Sequence, residues 1–198
     1  MLGLRVAHSV ACSEVEGPFR RHVVWVQGCT LACPGCCNPE LFPAAGGRWR
    51  AVSELRAELG EARALHGVEG LTVLGGEPSE QLAGATALCE AARELGLGVI
   101  LFSGRTRGEL AALAGGAALL AAVDTLIDGR FEASQREPAG GRRFIGSRNQ
   151  GLLHLSPRYA DPALWRGSAG VELQVAPDGR VSLHGAPVLA GRLARALG

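Results

Sequence analysis

The sequence predicts an α/β fold: a parallel sheet arranged as a partial, open (β/α) barrel, followed by a C-terminal β-hairpin. Three observations carry this. Short runs rich in β-branched and aromatic residues (Val23–Val26, Leu71–Leu74, Val99–Phe102, Thr125–Ile127) alternate with longer stretches whose apolar residues recur at helical spacing. Strands separated by such helices form right-handed βαβ units, which bring every strand's carboxyl end to one edge of the sheet. About four repeats in 198 residues fall short of a closed barrel, which takes eight over roughly 250 residues.

In chain order, Val23–Val26 runs out at Gly28-Cys29. Ser53 is a candidate cap for a helix with Leu55, Leu59, Ala62 and Leu65 along one face. Leu71–Leu74 is closed by Gly75-Gly76-Glu77-Pro78, and a second helix carries Leu82, Ala85, Leu88, Cys89, Ala92 and Leu95 before stopping at Gly96. Val99–Phe102 ends at Ser103-Gly104. The run from Leu110 to Val123 reads as one buried helix, and Thr125–Ile127 ends at Asp128-Gly129. Gly28-Cys29, Gly75-Gly76-Glu77, Ser103-Gly104 and Asp128-Gly129 are therefore expected on one rim, where βα loops carry active sites. Arg130–Gln150, polar and rich in Gly and Arg, reads as a long functional loop. Val171–Val175 and Val181–Leu183, joined through Pro177-Asp178-Gly179-Arg180, read as the hairpin. Residues 1–198 are expected to form one domain, with a core over about 17–165 and the hairpin extension over about 166–198.

Twenty basic residues, all Arg, balance nineteen acids to a net charge of +1. No field for nucleic acid or a membrane surface follows from that balance. The longest apolar run, Leu110–Val123, is shorter than the roughly 20 residues of a membrane span. Ser9-Val10-Ala11-Cys12 faintly resembles a lipoprotein cleavage site, but Arg5 and His8 interrupt the apolar stretch such a signal needs. The expectation is a cytoplasmic protein, in which six cysteines are thiols or ligands.

Three of the six fall in C-x3-C-x2-C spacing as Cys29, Cys33 and Cys36. Gly28 and Pro34-Gly35 supply the turns that let three thiolates wrap one cuboidal cluster. A 4Fe-4S cluster ordinarily takes four cysteines; three leave one iron open, and an open metal position is where a substrate or cofactor binds. The competing reading is a structural zinc site that also uses Cys37. Adjacent Cys36 and Cys37 are poorly placed to face one tetrahedral centre, and zinc spacing usually pairs two C-x2-C units. Cys89 sits at an apolar helical position; Cys12 and Cys37 read as free thiols. The five His have no ligand spacing to the cysteines, and Arg20-Arg21, Arg48-Trp49-Arg50 and Arg142-Arg143 read as solvated surface or, alternatively, as docking contacts.

C-x3-C-x2-C after the first strand, with Gly75-Gly76-Glu77-Pro78 after the second, resembles the radical S-adenosylmethionine (radical SAM) superfamily. Val24-Trp25-Val26-Gln27-Gly28-Cys29, Cys33-Pro34-Gly35-Cys36, Leu126-Ile127-Asp128-Gly129, Gly146-Ser147-Arg148-Asn149-Gln150 and Asp178-Gly179-Arg180 resemble, within it, the anaerobic (class III) ribonucleotide reductase activating enzymes, small members of the glycyl-radical activase group. The resemblance spans about Gly17 to about Pro187. It implies a radical SAM-type partial barrel and a 4Fe-4S cluster on Cys29, Cys33 and Cys36, with S-adenosylmethionine chelating the fourth iron. Electron transfer from the reduced cluster then cleaves S-adenosylmethionine to methionine and a 5′-deoxyadenosyl radical. It further implies that Gly75, Gly76, Glu77 and Pro78 receive the methionine amino group, that Asp128 and Arg130 contact ribose and carboxylate, and that Ser103 lines the pocket. The plainer readings stay open: a turn at Gly75–Pro78 and at Ser103, a helix cap at Asp128, a solvated Arg130. Gly146–Gln150 matches the family pattern but has no physical role readable from sequence.

Gly17-Pro18-Phe19-Arg20 departs from the family's Gly-Pro-Gly, and Cys37 stands where an apolar or aromatic residue is usual. The implied substrate is a larger glycyl-radical partner protein, with a flavodoxin- or ferredoxin-type electron donor. Two alternatives remain: a radical SAM enzyme modifying a small molecule or peptide, such as a deazapurine synthase, and a non-catalytic iron-sulfur electron carrier. A carrier would ordinarily have a fourth cysteine and no need of Gly75–Pro78.

Overall fold

The computed structural model describes residues 2–138, 140–175, 179 and 181–197. Its elements are β1 (Gly3–Ser13), β2 (Arg21–Val26), β3 (Arg48–Ala51), α1 (Val52–His66), β4 (Gly70–Gly75), α2 (Leu82–Glu94), β5 (Gly98–Phe102), α3 (Arg107–Ala111), α4 (Gly116–Ala121), β6 (Thr125–Asp128), β7 (Gly151–His154), β8 (Val171–Val175), β9 (Val181–Gly185) and α5 (Pro187–Leu197). β2, β4, β5 and β6 pair in parallel, as the alternating pattern requires. The sheet order is β3-β1-β2-β4-β5-β6-β7. β1, β3 and β7 are antiparallel additions. The result is a mixed sheet with a parallel centre whose outer strands, β3 and β7, do not pair with each other. Among the described residues no helix is long and apolar enough to cross a membrane.

One face of the sheet is roofed by helices. Leu55, Leu59, Leu88, Cys89, Leu110 and Leu119 are wholly buried against Val24, Leu71, Val73, Val99 and Leu101. At about 1.5–3 kcal/mol for each fully buried aliphatic side chain, this layer holds the strand ends in register. On the opposite face Ile100 and Ile127 pack against Ile145, Tyr159 and Trp165 from the chain after β6, and Val23 and Trp25 pack against Val10 and Leu41.

Several expectations are corrected. Helix α1 is capped at Ala51, not Ser53: the Glu54 carboxylate accepts from the Ala51 N–H at 3.3 Å, and Ser53 lies in the first turn. The run Leu110–Val123 is not one helix. Gly115 adopts φ 89°, a left-handed conformation open to glycine, and the Leu110 carbonyl occupies the space a Cβ on Gly116 would need. The chain therefore turns between α3 and α4. Arg21 is not solvated but fully buried. Its guanidinium donates to the Thr72 hydroxyl at 2.6 Å, the Tyr159 hydroxyl at 2.9 Å and the carbonyls of Pro18, Leu71 and Gly98. Gly70 makes room, since a Cβ there would lie 2.6 Å from Arg21 Nη1.

β8 and β9 form the expected hairpin; the predicted turn residues Pro177, Asp178 and Arg180 lie outside the described residues. The hairpin rests on the segment between β1 and β2. Glu172 accepts from the Glu14 N–H at 2.7 Å, Glu16 accepts from the Gly185 N–H at 2.8 Å, and His184 sits 5.3 Å from the Trp25 ring.

Candidate active site at the carboxyl rim

The loop that leaves β2 is pinned at both ends. Gly28 N–H donates to the Leu41 carbonyl at 2.8 Å and Cys29 N–H to the Phe42 carbonyl at 3.0 Å, so residues 29–42 form a closed loop. Within it Cys33 and Cys36 are joined by a turn, Cys36 N–H to Cys33 carbonyl at 3.1 Å, with Gly35 at φ 75°. Cys29, Cys33 and Cys36 are free, partly buried thiols. Cys36 is pulled down to about 6, chiefly because the Cys37 thiol donates to it, with the Asn38 N–H helping; the same bond pushes Cys37 up. Burial pushes Cys29 up. Among the described residues no three His, Cys, Asp or Glu side chains are gathered closely enough to hold a single metal ion. The three thiols are distributed around a loop.

β4 delivers Gly75-Gly76-Glu77-Pro78 to this loop. Gly75 has φ 107°, and Gly76 lies flat on Gly28, whose carbonyl fills the place of a Cβ. The Glu77 N–H donates to that carbonyl at 2.8 Å. The Glu77 side chain is 1% exposed and accepts four hydrogen bonds. Oε1 takes Ser79 N–H at 3.0 Å, the Ser79 hydroxyl at 2.6 Å and the Ser103 hydroxyl at 2.8 Å; Oε2 takes Gly104 N–H at 2.8 Å. The carboxylate thus latches the ends of β4 and β5 together. Gly104 in turn touches the cysteine loop, since a Cβ on it would sit 2.5 Å from Leu31 Cδ1.

Asp128 ends β6, and its Oδ2 accepts from Arg107 N–H at 2.6 Å, the first residue of α3; its side chain acts as a cap there. Arg130 pairs with Glu109 at 3.1 Å, both side chains being well exposed. The Gly146–Gln150 motif, without a role at the sequence level, clamps the long loop to this strand end. Gln150 accepts from Gly146 and Ser147 N–H groups and donates to the Gly129 carbonyl at 3.0 Å, while Asn149 donates to the Arg130 carbonyl at 2.8 Å. The structure therefore brings all four expected strand ends onto one rim.

A model of 4Fe-4S single cluster domains matches residues 15–153. An anaerobic ribonucleoside-triphosphate reductase-activating protein of Vibrio cholerae is 30% identical over 149 residues, 71% of this chain and 90% of that one. Its counterpart from Enterobacteria phage T4 is 30% identical over 61% of this chain and 77% of its own length. A pyruvate formate-lyase-activating enzyme of Listeria monocytogenes is 35% identical over 38% of this chain and 32% of its own. The chain belongs to the radical SAM activases.

An activase of this family is an enzyme whose cofactors are a 4Fe-4S cluster and S-adenosylmethionine. The residues present fit such a cluster. Three free, partly buried thiols share one closed loop, whereas the loop's remaining cysteine, Cys37, is exposed. Cys89 is buried in α2 and Cys12 lies on β1. Sequence reasoning missed the residues that hold the activase's cysteine loop in place. Glu80 accepts from Thr30 N–H at 2.8 Å and from its hydroxyl. Gln81 donates to the Gln27 carbonyl at 2.9 Å and exchanges two bonds with the Arg5 backbone. Their only signal is position, immediately after Gly75–Pro78.

Proposed function

We propose that this enzyme cleaves S-adenosylmethionine reductively and installs a glycyl radical on a larger partner protein. The supporting observation is the seam between Gly28, at the foot of the cysteine loop, and Gly76-Glu77: it joins the loop that carries the three free thiols to backbone able to receive a small zwitterion. The relatives support the choice of substrate, being named as activators of an anaerobic ribonucleotide reductase and of pyruvate formate-lyase, with a Haemophilus influenzae relative named a putative glycyl-radical enzyme activating enzyme.

Cys29, Cys33 and Cys36 would hold the cluster. When bound, cluster and S-adenosylmethionine would supply, beside methionine, a 5′-deoxyadenosyl radical able to take a hydrogen atom from a partner Gly Cα. The chain's own residues bind and orient. Since four donors already occupy the Glu77 carboxylate, the methionine ammonium is received by the backbone carbonyls of Gly75–Pro78, which glycine lets the ligand approach closely. Ser103 contributes by orienting Glu77. Asp128 would reach ribose through Oδ1, which lies over Gly151, since Oδ2 is held by Arg107. Arg130 would exchange Glu109 for the methionine carboxylate at little cost, because solvent screens an ion pair this exposed. A flavodoxin- or ferredoxin-type donor supplies the electron.

Anaerobic reconstitution with iron and sulfide, then reduction with S-adenosylmethionine present, tests this. Methionine and 5′-deoxyadenosine are expected, lost in Cys33→Ala, with a glycyl-radical signal when the partner is added. A protein that takes up zinc but no iron, or that cleaves nothing, refutes it.

A further inference from the structure

The loop between β6 and β7 is held more tightly than a connection requires. Beyond the Gln150 and Asn149 clamps, the Arg142 guanidinium donates to the carbonyls of Ser147, Arg148 and Gln150 at 2.9–3.1 Å and pairs with Glu137 at 3.0 Å. It is internal scaffolding, not the solvated or docking residue its Arg-Arg context suggests. The wholly buried Ser147 accepts from Glu132 N–H through its hydroxyl.

This scaffold positions one aromatic ring. Phe131 packs on Gly146, where a Cβ would come within 3.0 Å of Phe131 Cδ2 and crowd the ring. The Arg136 guanidinium stands 5.2 Å from the ring centroid, a cation–π contact. On its other side the segment meets the cysteine loop: a Cβ on Gly35 would lie 3.1 Å from Ala133 Cβ and 4.0 Å from Phe131 Cε1. Gly35 is the residue between Pro34 and Cys36, at the tip of the Cys33–Cys36 turn.

We infer that Phe131 is a positioning and shielding residue for the iron-sulfur centre, and that the Gly146–Gln150 motif serves to hold it there. The inference rests on the reading that Cys29, Cys33 and Cys36 carry the cluster. The apolar shell around a metal centre governs solvent access, and exposure tunes an iron-sulfur cluster's potential and reactivity. A ring fixed against the tip of the ligand turn excludes water from that side. It also keeps the turn from swinging outward, which three ligands resist less well than four.

The test uses the full chain, reconstituted anaerobically as wild type, Phe131→Ala and Phe131→Leu, then exposed to dissolved dioxygen while the cluster's visible absorbance is followed. Phe131→Ala is expected to bleach about tenfold faster at equal iron content, the scale of effect that supporting residues have on metal sites, with Phe131→Leu close to wild type. A second measurement does not depend on loading: in the iron-free chain, alkylation of Cys33 and Cys36 relative to Cys12 should rise in Phe131→Ala and not in Phe131→Leu. Equal bleaching rates at equal iron, or an unchanged alkylation ratio, overturn the inference. Retention of full iron by Cys33→Ala would instead overturn the cluster reading on which it rests.

Discussion

Replacing Glu77 by Gln removes the latch across the rim while changing the side-chain volume little. The carboxylate accepts from Ser79 N–H, the Ser79 and Ser103 hydroxyls and Gly104 N–H, and it is buried. A glutamine keeps its oxygen best on the side with three donors. Its amide then faces the Gly104 N–H across the 2.8 Å now spanned by a hydrogen bond, donor against donor. A hydrogen bond to a charged group is worth about 1.5–3 kcal/mol, and a buried donor left unpaired costs about 1–3 kcal/mol, terms that overlap. Losing the charge also removes its desolvation penalty. That offset is partial, because two of the four donors are backbone N–H groups that cannot turn away. The expected net loss is about 2–4 kcal/mol. For a chain of this length it appears as a fall in melting temperature of roughly 4–16 °C, from about 2–4 °C per kcal/mol. Denaturant unfolding of the iron-free chain should show a lower midpoint at unchanged slope. Because Gly104 braces Leu31, iron uptake should fall in parallel. A loss below about 1 kcal/mol would mean that the four bonds do not form together, and would refute the latch.

Two further outcomes follow from the same geometry. Arg130→Ala should leave the melting temperature nearly unchanged, since solvent screens the exposed pair with Glu109, yet weaken S-adenosylmethionine binding about tenfold if that guanidinium holds the carboxylate; calorimetric titration of the loaded enzyme decides, and unchanged affinity removes Arg130 from the site. Burial beneath the hairpin pushes the Glu16 carboxyl up to about 7, the Gly185 N–H opposing and Glu172 adding to the rise. A carboxyl raised in the docked state stabilises docking fully at low pH and loses that contribution as pH rises through about 7. Amide protection over β8 and β9, taken relative to the intrinsic exchange rate at each pH, should therefore be greater at pH 6 than at pH 8, with Glu16→Gln flattening the difference; protection that increases with pH would contradict the assignment.

The parallel centre of the fold was legible because each strand is short, buried and ended by glycines whose positive φ or close backbone approach no other residue tolerates, as at Gly28, Gly75, Gly76 and Gly129. β1 was not. It carries two register shifts, between Val6 and His8 and between Val10 and Ser13, so Leu4 and Val6 enter the helix-side core while Val10 enters the other. A strand that changes face in mid-course shows no period of two. β3 and β7, of four residues each, are too short to show any period.

In the candidate site, the sequence placed these residues at strand ends of one rim but not the direction of their side chains. Glu77 lies in the motif that resemblance assigns to the cofactor, but its carboxylate is taken up by Ser79, Ser103 and Gly104. Ser103, expected to line the pocket, spends its hydroxyl on the same carboxylate, and Asp128 spends one oxygen on α3. These residues share a property that spacing cannot express: each ties a strand end to a segment distant in sequence, Ser103 to the Glu77 carboxylate 26 residues away and Asp128 to the start of α3 21 residues away. A rim assembled from separate βα loops needs such cross-links before it can hold a ligand in one geometry, because the loops have no common backbone ladder. A polar residue at a strand's carboxyl end is therefore as apt to fix its neighbour as to touch the cofactor, and only the side chain's partners distinguish the two.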